Sequence, residues 1–442
     1  MSILIRNGTI ICPQTGRTNN IDLLIENGVI SKIAPNISQA TAVVIDATNK
    51  YILPGFFDMH CHLREPGFEY KETLESGMRA GLAGGFTSLA CMPNTKPAID
   101  TAATARFIIE RAKQLNLCKL YPVGAITKAQ AGEQLNDFSE LKNAGVIALS
   151  DDGKPLTSAA LMRSAVIAAA QAGLLILSHC EDQTLSADGV MNEGATATNL
   201  GLLGIPALAE ELITAREILI AESLNQPIHI MHVSTKGSVA IIRAAKARGV
   251  RVTAETCPHY FSLTDSTCAG HNTAAKVNPP LRTADDVAAI IEGLRDNTID
   301  VIATDHAPHH ADEKNCDFTN AAFGISGLET AFAVANTYLV RPSYLTLEEL
   351  TKKMSFNPAQ ILGKSTETLT VGAPADITIV DANICQTVDS TKFYSQGKNT
   401  PFNGLQLQGA VEHTIANGTL KFSRDSKTSK LTATTGCARI SQ

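Results

Sequence analysis

His60 and His62 stand two residues apart in "GFFDMHCHLREPG", residues 55–67, where an apolar run ends in Asp58, the two imidazoles, Arg64 and Glu65. Alternate residues of a strand project to one side, so both imidazoles can face a common point. An HxH pair alone is weak, but one further histidine closes each of two later apolar runs, His179 in "LLILSHCED" and His232 in "PIHIMHVS". Asp305 closes a third, "DVIATDHAPH". Four neutral imidazoles with carboxylates suit Zn²⁺, and other first-row divalent ions accept the same donors. Two histidine pairs sharing an acidic group would fit two metals. A cation there lowers the pKa of a bound water to about 7 and polarises a carbonyl, so the implied chemistry is hydrolysis, or its reverse, at a carbonyl carbon. Asp305 is the candidate to shuttle the proton. Arg64, two residues beyond His62, reads either as a surface ion pair or as a planar donor fork for a substrate carboxylate. Asn94, Asn278 and His309 would add neutral donors.

These residues need a scaffold that gathers strand ends. From about 54 to 360, eight short apolar runs alternate with Ala-rich helical stretches such as "SAALMRSAVIAAAQAG". Eight such units in about 300 residues predict a (β/α)8 barrel. An open doubly wound sheet is disfavoured because no GxGxxG follows the early strands. The polar residues come at the C-terminal ends of the runs, the face where barrel active sites sit. Residues 1–53 and 361–442 have a different texture, with short strands and Asn-Gly pairs at 7–8, 27–28 and 417–418 that signal hairpins. They predict a small β-sandwich domain built from both termini, with a loose Ser/Thr/Lys-rich tail from about Arg424.

Composition narrows the class. The 442 residues are 44% hydrophobic with a net charge of −6, which leaves no basic field for nucleic acid. No uncharged apolar run has membrane-spanning length, and the first residues make a poor signal peptide. Ten cysteines without a CxxC pair do not resemble a disulfide framework. A cytoplasmic setting is expected.

"DMHCHLREPG", "GGFTSLACMPNTKP", "SHCED", "ETCPHY", "KVNPPLR", "ATDHAPHHADEK" and "FGISGLET" together resemble zinc dihydroorotase of the class I bacterial type, in the amidohydrolase superfamily. The resemblance spans nearly the whole chain. It implies that His60 and His62 bind one metal with Asp305 beside it, that His179 and His232 bind a second, and that Asp152 bridges the two. It implies zinc, two ions per subunit or one, and Asp305 as catalytic acid/base. Arg64, Asn94 and His309 would hold the substrate carboxylate, with Asn278 and the Phe323-Gly324 backbone completing the pocket. The implied reaction is reversible cyclisation of N-carbamoyl-L-aspartate to dihydroorotate in pyrimidine synthesis. A homodimer and an association with aspartate transcarbamoylase are implied partners. One departure is Ala322, where the family usually has proline.

The fourth run ends "ALSDDGKP". Periodicity does not choose between Asp151 and Asp152 as a bridge; the resemblance chooses Asp152. Allantoinases and hydantoinases of the same superfamily usually bridge with a carboxylated lysine there, and Lys154, beyond Gly153, reads as a turn residue. A third reading is a non-catalytic barrel acting as a scaffold, which a missing metal-site residue would support; none is missing. Among the other histidines, His229 is expected in the core, and His259, after Pro258 at a strand end, is a weaker candidate to support the site. His306 and His310 are expected to point elsewhere, and His271 and His413 to lie on the surface. Asp58 is expected to orient a ligand imidazole. Residues 309–324, charged and without periodicity, are expected to form a loop that covers the substrate.

Overall fold

The computed structural model describes residues 2–365 and 368–424 and the backbone of 429–430. Eight parallel strands form the ring: Phe56–Cys61, Phe86–Cys91, Lys119–Pro122, Ala148–Leu149, Leu175–Ser178, Ile228–Ile230, Val252–Thr256 and Val301–Ile302. Each pairs with its successor, the third meeting the fourth through the Gly124–Leu149 bridge. The eighth returns to the first, where Asp305 N donates to His60 O (3.0 Å) and His62 N to His306 O (2.8 Å). Closure removes the sheet edges and brings residues 60–62 beside 305–306.

An apolar cluster containing Phe57, Ala90, Val123, Ala148, Leu177, Met231 and Val301 draws on strands all round the ring and therefore fills its interior. Ala359 and Leu362 belong to the same cluster. A larger cluster lies between strands and helices, with members such as Met78, Leu89, Ile108, Val166, Ile218, Ile242 and Ile290. The helices start where the sequence offers caps: Thr73, Thr101, Asp137, Ser158, Thr235 and Thr283 each accept a backbone N–H of the first turn.

The strands from the two ends of the chain form one sheet. Tyr51–Pro54 sits between Ile3–Cys12 and Ile377–Thr387, so segments from the two ends of the chain are neighbours. Ile3, Ile25 and Ile30 share a cluster with Ile52, Ile379 and Ile415. Strands far apart in sheet order meet there, so the sheet folds over on itself as a sandwich. Asn27-Gly28 and Asn417-Gly418 make the expected hairpin turns, with both residues at positive φ. Asn7-Gly8 does not. It lies within Ile3–Cys12 at a register shift, and a Cβ on Gly8 would come within 2.4 Å of Ile52. The pair is a bulge that lets another strand approach. Of the expected tail, Ser429–Lys430 pairs with Ser423–Arg424; residues 425–428 and 431–442 lie outside the described residues.

Candidate metal centre

Asp152 stands at the middle of the barrel mouth, three residues past the end of the fourth strand. Its Oδ1 lies 3.7 Å from His60 Nε2, 3.3 Å from His179 Nδ1 and 3.6 Å from His232 Nε2. Its Oδ2 lies 3.3 Å from His62 Nε2. Asp305 Oδ1 is 3.2 Å from His62 Nε2 and 3.5 Å from His60 Nε2. Five ends of the ring thus deliver their side chains to one buried point, and Asp152 belongs to two separate donor groups, one with His60 and His62, the other with His179 and His232.

Hydrogen bonds behind the imidazoles fix which nitrogen faces inward. Glu255 accepts from His60 Nδ1 (2.6 Å), Asn94 Oδ1 from His62 Nδ1 (2.8 Å) and Glu181 from His179 Nε2 (2.9 Å). Each opposite nitrogen then presents a lone pair to the centre. His60 Nε2 and Asp152 Oδ1 are buried without any hydrogen-bond partner, and His179 Nδ1 and His232 Nε2 approach to 2.7 Å. Buried orphan lone pairs are costly, and divalent cations satisfy this donor set. The residues fit a metal.

Burial disfavours charge here, yet oppositely charged neighbours override it. His60 is pushed well above the usual imidazole value because Asp305, Glu255 and Asp152 outweigh its burial. Burial would raise Asp305, but His60, His62 and His232 hold it down to about 2. His232 and Asp305, like Arg64, sit at positive φ. Left-handed backbone at a non-glycine residue costs roughly 1–3 kcal/mol.

The remaining expected residues gather beside this centre. Arg64 lies past the strand end at Cys61, so alternation no longer governs it; its Nε donates to Pro308 O (3.1 Å) and its Nη2 lies 3.2 Å from His309 Nε2. Burial, then Arg64 and Lys71, push His309 down to about 3, against the Glu313 carboxylate 3.0 Å from its Nδ1. Asn278 donates to Glu181 (3.0 Å). The backbone of Gly324 is already occupied: its N–H goes to Lys276 O (2.9 Å) and its carbonyl accepts from Lys314 (3.1 Å) and Asn399 (2.9 Å). Its contribution is space, since a Cβ would come within 3.2 Å of His309 Nε2. Phe323 O accepts from His309 Nε2 (2.8 Å).

Asp151 turns away, accepting from Ile126 N (2.8 Å) and from Thr127, and Lys154 is exposed. Asp58 holds backbone, accepting from Thr304 N (3.0 Å) and His60 N (3.3 Å), and orients no imidazole. Glu255 does that, and His229, buried as expected, closes the chain at 3.2 Å from Glu255 Oε2. Sequence reasoning missed Glu255 and Glu181. The signals were a carboxylate inside the apolar seventh run and an acid two residues past His179. His306 faces Glu72 at 3.4 Å, away from Asp152. His259 is buried with Nε2 unpartnered, next to Cys257 and Asp305. His310 and His271 are exposed, whereas His413, expected at the surface, is half-buried.

A family profile described as Dihydro-orotase-like matches residues 49–238, and one described as Amidohydrolase family matches 302–421. The chain is 53% identical over 416 residues to a dihydroorotase from Acetivibrio thermocellus, covering 94% of this chain and 98% of that one. It is 52% identical over 419 residues to one from Ruminiclostridium cellulolyticum, covering 95% and 98%. Among solved structures, the L-hydantoinase (dihydropyrimidinase) from Arthrobacter aurescens superposes with a TM-score of 0.84 at 25% identity, 95% of each chain covered. The dihydropyrimidinase from Brevibacillus agri NCHU1002 gives 0.81 at 23%, again with 95% of each covered.

Proposed function

We propose that this chain, which belongs to the dihydroorotase family of cyclic amidohydrolases, interconverts N-carbamoyl-L-aspartate and (S)-dihydroorotate plus water, a step of de novo pyrimidine (UMP) synthesis. Membership implies a metal cofactor, and the donors fit one. In our reading the metal is zinc, two ions per subunit. His60 and His62 hold one, His179 and His232 the other, Asp152 is shared, and Asp305 lies beside the first. Bound there, the ions supply a water of lowered pKa and polarise the scissile carbonyl.

The chain's own residues do the rest. Arg64 and His309 take the ring carboxylate, an anion that a guanidinium fork binds in the plane of its donors. Asn94, already accepting from His62, has its amide N–H₂ left for the substrate, and Asn278 closes the side held by Glu181. In hydrolysis the Asp305 carboxylate takes a proton from the attacking water. It passes that proton to the ring nitrogen as the C–N bond breaks. In cyclisation the carbamoyl nitrogen attacks the side-chain carboxyl carbon and the proton returns as water leaves. The single observation carrying this reading is Asp152 ringed by four imidazoles with the Arg64–His309 pair at the same mouth.

The solved hydantoinases raise a second reading, an uncharged cyclic amide as substrate. Asp152 at the centre and exposed Lys154 argue against a lysine-bridged site of that kind. Turnover of dihydroorotate, hydantoin and allantoin by purified protein, with metal content measured in parallel, decides. Dihydroorotate should dominate; preferential turnover of hydantoin or allantoin would reject the assignment. A homodimer, an association with aspartate transcarbamoylase and a cytoplasmic setting complete the proposal. The free state of nine cysteines among the described residues supports the last. Light scattering and co-migration measure the first two.

A further inference from the structure

Beyond the strand Ile377–Thr387 the chain leaves the β domain, crosses against the loops that follow the first and eighth barrel strands over residues 393–403, and returns as Gln406–Ala416. This crossing is pinned at several points. The buried carboxylate of Glu72 accepts from Gln396 N (3.1 Å) and from the Ser395 hydroxyl. Glu329 accepts from Ser395 N (3.1 Å). Ser326 donates its hydroxyl to Gly397 O (2.6 Å) and its N–H to Asn399 O (2.8 Å). Gly397 lies directly on the loop after the eighth strand: a Cβ there would come within 2.6 Å of Pro308 Cβ and 2.9 Å of His309 N.

These anchors aim one side chain. Asn399 Oδ1 accepts the backbone N–H of His309 (3.2 Å), and its Nδ2 donates to Gly324 O (2.9 Å). A single carboxamide therefore ties together the two pocket walls between which His309 Nε2, 2.8 Å from Phe323 O and 3.2 Å from Arg64 Nη2, is held. A carboxamide is the group for this task because it carries an acceptor and a donor side by side. Pro308 O, which receives Arg64 Nε at 3.1 Å, belongs to the same peptide unit as the His309 N–H that Asn399 accepts.

We propose that Asn399 is a positioning residue of the substrate-carboxylate subsite, by which the C-terminal part of the chain sets the spacing of His309, Gly324 and Arg64. This rests on the reading of that subsite given under the proposed function. Asn399 touches neither the metal donors nor Asp305, so its loss should weaken ground-state binding of the carboxylate and leave the chemical step largely intact.

The test compares Asn399→Ala and the isosteric Asn399→Asp, which retains the acceptor for His309 N–H but sets a carboxylate oxygen against Gly324 O. Gln396→Ala, on the exposed side of the same segment, is the control. For both Asn399 variants KM for dihydroorotate should rise about tenfold or more, with kcat changed by less than about threefold. Metal content should stay at the wild-type value. The preference for dihydroorotate over dihydrouracil, the same ring without the carboxylate, should fall in step, and Gln396→Ala should match wild type. Should Asn399→Ala fail to fold, the Asp variant decides alone. Unchanged KM in the folded variants overturns the proposal, as does a fall in kcat accompanied by metal loss. Failure of the underlying reading is separate and visible first in the wild type, as absent turnover of dihydroorotate.

Discussion

At the residue scale the question is how negative charge is placed between the proposed cations. Asp152 meets the four imidazoles through both oxygens, while Asp151 is spent on the backbone of residues 126–127. Asp152→Asn removes one charge and leaves a neutral amide facing imidazole lone pairs. It should lose most bound metal by elemental analysis and abolish activity, whereas Lys154→Ala keeps both. Activity of metal-stripped protein should return with Zn²⁺ alone; a strict need for bicarbonate would mean that a carboxylated lysine is the bridge. Arg64→Met tests the other end of the pocket. A charged pair broken in a closed site costs on the order of 2–5 kcal/mol, so kcat/KM for dihydroorotate should fall at least thirtyfold with metal retained. Near-normal kinetics would remove Arg64 from the subsite.

At the element scale the segment 309–324 differs from a free covering loop. It contains a short helix, Ala311–Lys314, capped by His310. The Lys314 ammonium is buried within it, donating to Ala322 O (2.7 Å), Gly324 O (3.1 Å) and Lys276 O (3.3 Å). Burial above all, then Lys276, pushes Lys314 down to about 7. Three carbonyls around one ammonium form a clasp that brings charge inward without a carboxylate. Lys314→Met would leave Ala322 O without its donor, while Gly324 O keeps Asn399 and Lys276 O keeps the Gly324 N–H, at a cost of about 1–3 kcal/mol. Amide exchange across 309–324 should be slow in the unliganded wild type and accelerate in this variant; equal rates would mean that the clasp contributes nothing to the loop's order.

At the scale of the whole molecule, barrel and β domain are joined by buried polar groups that make stability depend on pH and metal. Burial raises the Glu329 carboxyl from 4.5 to about 8. The folded protein therefore binds this proton more tightly than the unfolded chain. Its contribution is complete below pH 4.5 and is lost as pH rises through about 8. Glu329→Gln should unfold like wild type near pH 4 and be more stable by about 2 kcal/mol at pH 8. A variant less stable at pH 8 would mean that the ionised carboxylate is needed to hold Ser395. Metal removal acts in the opposite direction. A ligand that binds only the folded state at 100 times its Kd adds about 2.7 kcal/mol, so chelation should lower the thermal midpoint by several degrees and zinc should restore it. An unchanged midpoint would separate the four-histidine cluster from metal binding.

What the sequence determined by itself is what local periodicity and residue type can carry. Eight apolar runs with polar C-terminal ends implied a closed parallel barrel, and imidazoles at those ends implied a metal centre on one face. The tertiary structure decided the rest. Asp151 and Asp152 are adjacent and alike, and only the position of residues 126–127 shows which one is taken by backbone. Asn7-Gly8 has hairpin chemistry, but the strand packed beside it makes it a bulge. Glu255, Glu181 and Asn399 are ordinary polar residues until the closed ring sets Glu255 behind His60, the turn after the fifth strand sets Glu181 behind His179, and the segment 393–403 brings Asn399 to His309. Alternation and spacing act over a few residues; the partners of these three side chains lie 195, 2 and 90 positions away. Two of those separations are bridged only by the fold, and the third had a local signal.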